Sequence, residues 1–144
     1  MLKLAFAIVI AIIAYSVYLN FVPRMIGVHN GRLSPCPWTP NCVSSEVKEG
    51  PAHIEPLKYK GDRHTIDKIA AVIRTFPRTT IITQTDNYLH AEFRSKLFRF
   101  VDDVEFLYLP DQGIVQVRSA SRVGYSDLGV NRKRIEEIRN RINS

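Results

Sequence analysis

Residues Val117 to Arg132 concentrate side chains that can do chemistry: Arg118, Ser119, Ser121, Arg122, Tyr125, Asp127, Asn131 and Arg132. Arg118 and Arg122 stand four apart, so on a strand they share a face. Gly124 and Gly129 permit close approach of backbone to a ligand. A helix that opens near Asn131 presents free N–H groups and the positive end of its dipole. This is chemistry for holding a phosphate, sulfate or carboxylate. The competing account is structural: Asp127 pairs with Arg122 and caps the helix, making a rigid corner, because helix starts need such caps in any case.

A second group is spread over the strands that precede this stretch. Strict alternation puts His90, Glu92, Arg94, Asp103 and Glu105 on one sheet face together with Arg118 and Arg122. A solvated face would carry cross-strand ion pairs worth under about 1 kcal/mol each. The functional reading is a polar platform for a ligand or partner. Catalytic patterns are thin. Ser119 or Ser121 could act as a nucleophile beside a histidine, but no G-x-S-x-G elbow occurs. Asp102, Asp103 and Glu105 could hold a metal, yet neighbours on a strand point to opposite faces. His29, His53, His64 and His90 are scattered; His90 and Glu92 share a face and could do acid–base work, although an exposed strand pair is the blander account. No catalytic residue, no metal set and no cofactor is assigned.

The elements that must position these residues begin with an anchor. Leu4 to Val22 carries no charge and two strongly polar side chains, Ser16 and Asn20. At helical rise those residues span roughly 28 Å, close to a bilayer's hydrocarbon core. Lys3 precedes the run, Pro23-Arg24 closes it, and Tyr15, Tyr18 and Phe21 suit an interfacial belt. A cleaved secretory signal would have a shorter apolar core and an A-x-A-like site. No good site follows Ala14, so residues 1–24 read as an uncleaved transmembrane helix. Lys3 favours an inside N-terminus, while Arg24 and Arg32 flank the other end.

Cys36 and Cys42 are the only cysteines, with five residues between them. An even pair just beyond an export-like segment favours a disulfide in an oxidising compartment. Zinc would need four ligands, a redox site tighter spacing, and lipid attachment at Cys36 a shorter distance from the apolar run. The domain is therefore expected outside the cytoplasm, on the periplasmic side in a bacterium. A net charge of +6 suggests attraction to anionic surfaces. Nucleic acid is a poor partner for an exported domain.

Residues 25–61 form an irregular proline-rich wrap, with Asn30-Gly31 as a turn and His53 to Tyr59 as an edge strand limited by Pro56. In the 62–144 domain a helix is expected from Arg63 to Thr75, capped by Asp62 or Thr65 and ended by Pro77. Strands follow at Thr79–Thr85, Tyr88–Ser95 with a bulged continuation over Lys96–Phe100, Asp103–Leu109 and Ile114–Arg122. A basic helix over Asn131–Ile142 ends the chain. Short turns make the strands antiparallel. The fold class is α+β: a transmembrane helix, then a two-layer domain with a four-stranded antiparallel sheet and two helices on one face.

Pro35-Cys36-Pro37, Pro40 through Ser45, His53 through Leu57, Tyr88 through Ser95, Phe100 through Phe106 and Arg118 through Arg134 together resemble domain-of-unknown-function family 1499. The resemblance covers most of the chain after the anchor. It implies an envelope-associated or organelle-lumen protein of unassigned role. From the residues, the expected function is non-catalytic binding of an anionic lipid head group, a glycan or an envelope protein through Arg118, Arg122, Tyr125, Asn131 and Arg132. The alternatives are a small hydrolase or transferase using His90, Glu92 or a serine, and a purely structural scaffold.

Overall fold

The computed structural model describes residues 2–22, 25–59 and 64–144. The Asp62 cap, the helix start at Arg63, the end of the wrap near Gly61 and the Pro23-Arg24 close of the anchor lie outside the described residues.

Helix α1 spans Leu2–Phe21. Its Lys3–Asn20 stretch has a mean hydropathy of 1.8, and none of it is buried. It is the one helix among the described residues long and apolar enough to cross a membrane. Ser16, Leu19 and Asn20 alone are partly covered among its described side chains. Their spacing puts them on one stripe.

The wrap carries four short strands: β1 (Val28–His29), β2 (Arg32–Leu33), β3 (Cys42–Ser44) and β4 (Leu57–Lys58). Helix α2 covers Thr65–Arg74, with His64 at its N-cap position, so Thr65 begins the helix instead of capping it. Then come β5 (Thr79–Gln84), β6 (Tyr88–Arg94), β7 (Val101–Leu109), β8 (Ile114–Ser121) and α3 (Val130–Asn143).

The sheet corrects the four-strand expectation. It has six strands, in the order β5-β6-β7-β8-β3, with β4 also on β8. The pairs are antiparallel. Strand β8 would otherwise leave one row of backbone donors and acceptors unpaired, and the wrap supplies their partners. Strands of two and three residues are too short to show a period in sequence. Lys96–Phe100 does not continue β6: it is a loop closed by the Ser95 N–H donating to the Phe100 carbonyl at 2.9 Å. The sheet's bulge lies in β5, between Ile81 and Thr83.

Both α2 and α3 pack on one face. Ile66, Ile69, Ala70 and Ile73 of α2 and Ile135 and Ile138 of α3 meet Leu89, Ala91, Val104, Phe106, Val115 and Val117 of the sheet. Each large side chain in this layer contributes on the order of 1.5–3 kcal/mol by leaving water.

Candidate functional site

The polar sheet face is neither solvated nor open. His90, Asp103, Glu105, Arg118 and Arg122 are all buried. Residues of the wrap lie over them, and the end of α1 reaches their edge.

Register builds the network. β6 and β8 flank β7, so His90, Glu105 and Arg118 form one row across three strands. Glu105 accepts from Arg118 Nη1 at 2.8 Å, from the Tyr88 hydroxyl at 2.8 Å and from the Gly27 N–H at 2.8 Å. Burial, then the neighbouring Glu105 carboxylate, pushes the Tyr88 phenol far above its ordinary range.

Asp103 lies in the next row. Arg122 grips it with two bonds, Nε to Oδ2 and Nη2 to Oδ1, both 2.7 Å. His90 Nε2 lies 2.8 Å from the same Oδ1. Burial works to raise the Asp103 carboxyl, but hydrogen bonds from Arg122 and His90 outweigh it and hold it below the usual value. Arg122 feels the converse: burial lowers it, Asp103 raises it, and the net direction is up. Arg122 also reaches Glu92, which Arg94 Nη2 holds at 2.7 Å. Three guanidinium groups (Arg94, Arg118, Arg122) therefore face three carboxylates (Glu92, Asp103, Glu105), and the face carries no surplus positive charge.

A cavity of about 110 Å³ lies between this network and the wrap, lined by Met25, Pro35, Cys36, Pro37, Asp103, Arg118, Ala120, Ser121 and Arg122. Arg118 is 2 % exposed, and its one hydrogen-bond partner among the described residues is Glu105. Its Nε is buried with no partner. Guanidinium carries five donors, and an unmatched buried one costs about 1–3 kcal/mol.

The other predicted residues lie elsewhere, except that Ser121 also borders the cavity. Ser119, Ser121 and Asn131 meet on the helix-covered face: Ser119 Oγ donates to Asn131 Oδ1, and Asn131 Nδ2 donates to Ser121 Oγ at 3.0 Å. Asp127 does not pair with Arg122. Its Oδ2 accepts from the Asn131 N–H at 2.9 Å and its Oδ1 from the Gly129 N–H at 3.0 Å. The anion that the start of α3 attracts is thus the chain's own carboxylate. Burial raises the Asp127 carboxyl, but the backbone donors of Asn131 and Gly129 bring it below its usual value. Gly129, at φ 80°, is the left-handed residue that turns the chain into α3.

Arg132 Nη2 donates to the carbonyls of Pro51, at 2.9 Å, and His53. Arg139 likewise donates to Pro56 at 2.9 Å and Glu55 at 2.6 Å. These two arginines of α3 clip the wrap to the domain. Tyr125 is exposed and sits edge-on to Trp38, ring centres 5.8 Å apart. Asp102 faces away from Asp103, as strand alternation requires, and meets Arg134. Among the described residues no group of three or more His, Cys, Asp or Glu could hold a metal ion.

Sequence reasoning did not single out Tyr88, Gly27, Asn41 or Arg134. Asn41 Nδ2 donates to the Gly124 carbonyl at 2.7 Å and the Asn41 carbonyl accepts from Ser121 N–H at 2.9 Å. Arg134 bonds Asn131 at 2.7 Å and stacks over Phe93 at 4.8 Å. Asn20 was visible as a polar interruption of the apolar run, but not as a structural clasp. Its Nδ2 donates to the Arg99 carbonyl at 3.0 Å, its Oδ1 accepts from the Val101 N–H at 2.8 Å, and its carbonyl accepts from Arg122 Nη1 at 3.0 Å. A disulfide joins Cys36 to Cys42, beside the cavity that Cys36 helps to line.

Fold and site define a helix-bearing α+β domain whose sheet is apolar on one face and carries a buried, charge-balanced network on the other. The chain belongs to the family described as "Protein of unknown function (DUF1499)", whose model matches residues 32–142. No curated protein and no solved structure matches it.

Proposed function

We propose that this chain is a single-pass membrane protein whose domain lies outside the cytoplasm and binds, without catalysis, a small apolar group ending in one oxygen acceptor. Support for the location is the exposed, uncharged body of α1 and a disulfide suited to an oxidising compartment. The observation that carries the binding reading is the unpartnered Nε of Arg118 beside a cavity walled by Met25, Pro35, Pro37 and Ala120.

Size and charge narrow the ligand. Drug-sized or cofactor sites run to roughly 300–1,000 Å³. A cavity of about 110 Å³ takes one small group, or the tip of a larger molecule. The three-against-three charge balance disfavours a phosphate dianion, which would meet Asp103 and Glu105 with no spare cation. A neutral carbonyl needs one donor and no counter-charge, which suits the Arg118 Nε–H best, and a monocarboxylate brings half the charge of the dianion. Catalysis is disfavoured by the lining: the one hydroxyl-bearing residue, Ser121, turns its Oγ to Asn131, and no histidine borders the cavity.

The test is NMR of the arginine Nε–H signals during titration with butyrate, butyramide or inorganic phosphate. A shift of the Arg118 signal with butyrate names a carboxylate ligand, and with butyramide a carbonyl. Ala120→Met, which fills the cavity, is expected to abolish either shift. No response, or a response to phosphate alone, overturns the reading.

A further inference from the structure

We infer that the Lys96–Phe100 loop between β6 and β7 dips into the bilayer interface beside α1, giving the domain a second membrane contact. The inference rests on the reading of α1 as a membrane span.

The loop contradicts what solvent favours. Leu97 is 78 % exposed, Phe98 68 % and Phe100 43 %, and the two phenylalanine rings stack with centres 5.5 Å apart. Three large apolar side chains within four residues, flanked by Lys96 and Arg99, are the composition of an interfacial segment: rings among acyl chains and cations at the head groups. Arg99 holds φ 57°, a backbone state that is costly for a non-glycine residue and persists only when its surroundings impose it.

Position decides between this occupant and others. Asn20, in the last turn of α1, holds the loop through the Arg99 carbonyl and the start of β7 through the Val101 N–H. If α1 spans a bilayer, that turn lies at the boundary between hydrocarbon and head groups, and the loop lies there with it. Ser16, Leu19 and Asn20, the partly covered stripe of α1, lie on the side that carries this clasp. The exposed apolar loop is therefore continuous with the apolar surface of the helix. Lys96 and Arg99 match an anionic head-group layer.

The experiment uses the full chain in vesicles of phosphatidylcholine and phosphatidylglycerol. Phe98→Trp in a Trp38→Phe background supplies one fluorophore, and lipids brominated near the carbonyl end of the acyl chain supply the quencher. Blue-shifted emission with several-fold quenching is expected, weakening when phosphatidylglycerol is omitted. Alkaline carbonate washing separates the two readings. A chain that resists washing but is unquenched leaves the span intact and overturns the loop contact. A chain released by washing overturns both. Emission shielded in native membranes but unquenched in vesicles assigns the loop to a protein and overturns the lipid contact.

Discussion

Arg122 Nη1 donates to the main-chain carbonyl of Asn20 across 3.0 Å, joining the residue after β8 to the last turn of α1. Terminal carbonyls of a helix lack intrahelical partners and sit at its negative end, so a guanidinium there satisfies an acceptor and complements the dipole. The same guanidinium grips Asp103. The last turn of the helix and the polar sheet face thus share one guanidinium.

The clasp should be separable from the core. Asn20→Ala removes the acceptor for the Val101 N–H, a residue with no exposed surface. Stranding a buried donor costs about 1–3 kcal/mol. Hydrogen exchange at Val101 and through the Lys96–Phe100 loop should speed up, while amides of α2 keep their protection.

The Glu105–Arg118 pair should behave as a buried pair. Both side chains are essentially inaccessible. Arg118→Met leaves Glu105 without a counter-charge and is expected to cost about 3–5 kcal/mol, as is Glu105→Leu. The double variant should recover much of that loss, although Tyr88 and Gly27 lose their shared acceptor. Urea unfolding of the four proteins closes the cycle, and additive losses would sink the pairing account.

Stability should fall in acid through Asp103 and Asp127. Both carboxyls sit below their unfolded values in the folded protein. The folded state therefore binds fewer protons, and its advantage is fully present above about pH 4. It is lost as pH falls through the lowered folded values. Asp127→Ala should reduce stability at neutral pH by about 0.5–2 kcal/mol, as loss of a helix-start acceptor does, and flatten the acid limb. Denaturant titrations at a series of acidic pH values give the slope directly.

Reduction of Cys36–Cys42 should loosen the roof of the cavity. Chain-entropy reasoning gives about 2–3 kcal/mol for a loop this short. Because Pro35, Cys36 and Pro37 line the cavity with Arg118, a reductant should lower the melting temperature and speed solvent exchange at the Arg118 Nε–H.

Much of the architecture was legible because it is local. Ile66, Ile69, Ala70 and Ile73 announce α2 by spacing, and the alternation of Leu89, Ala91 and Phe93 assigns faces correctly. Asp127 was readable as a helix-start acceptor, since that role needs only near neighbours. Its supposed partner was not: Arg122 could satisfy several carboxylates, and register gave it Asp103 and Glu92.

The chain's residues alone determined an uncharged N-terminal helix, a cysteine pair within reach of itself, and a sheet with one apolar and one charged face. Tertiary structure decided that the charged face is roofed, that α3's arginines bind the wrap, and that the Nε of Arg118 is buried without a partner. Periodicity is set by backbone geometry over a few residues and survives in any local window. Burial of charge depends on cross-strand partners 13 to 30 positions away, and on neutral groups farther off that take up the remaining donors and acceptors, such as Gly27 for Glu105 and Asn20 for Arg122. Only their simultaneous arrival balances and satisfies the face enough to leave water.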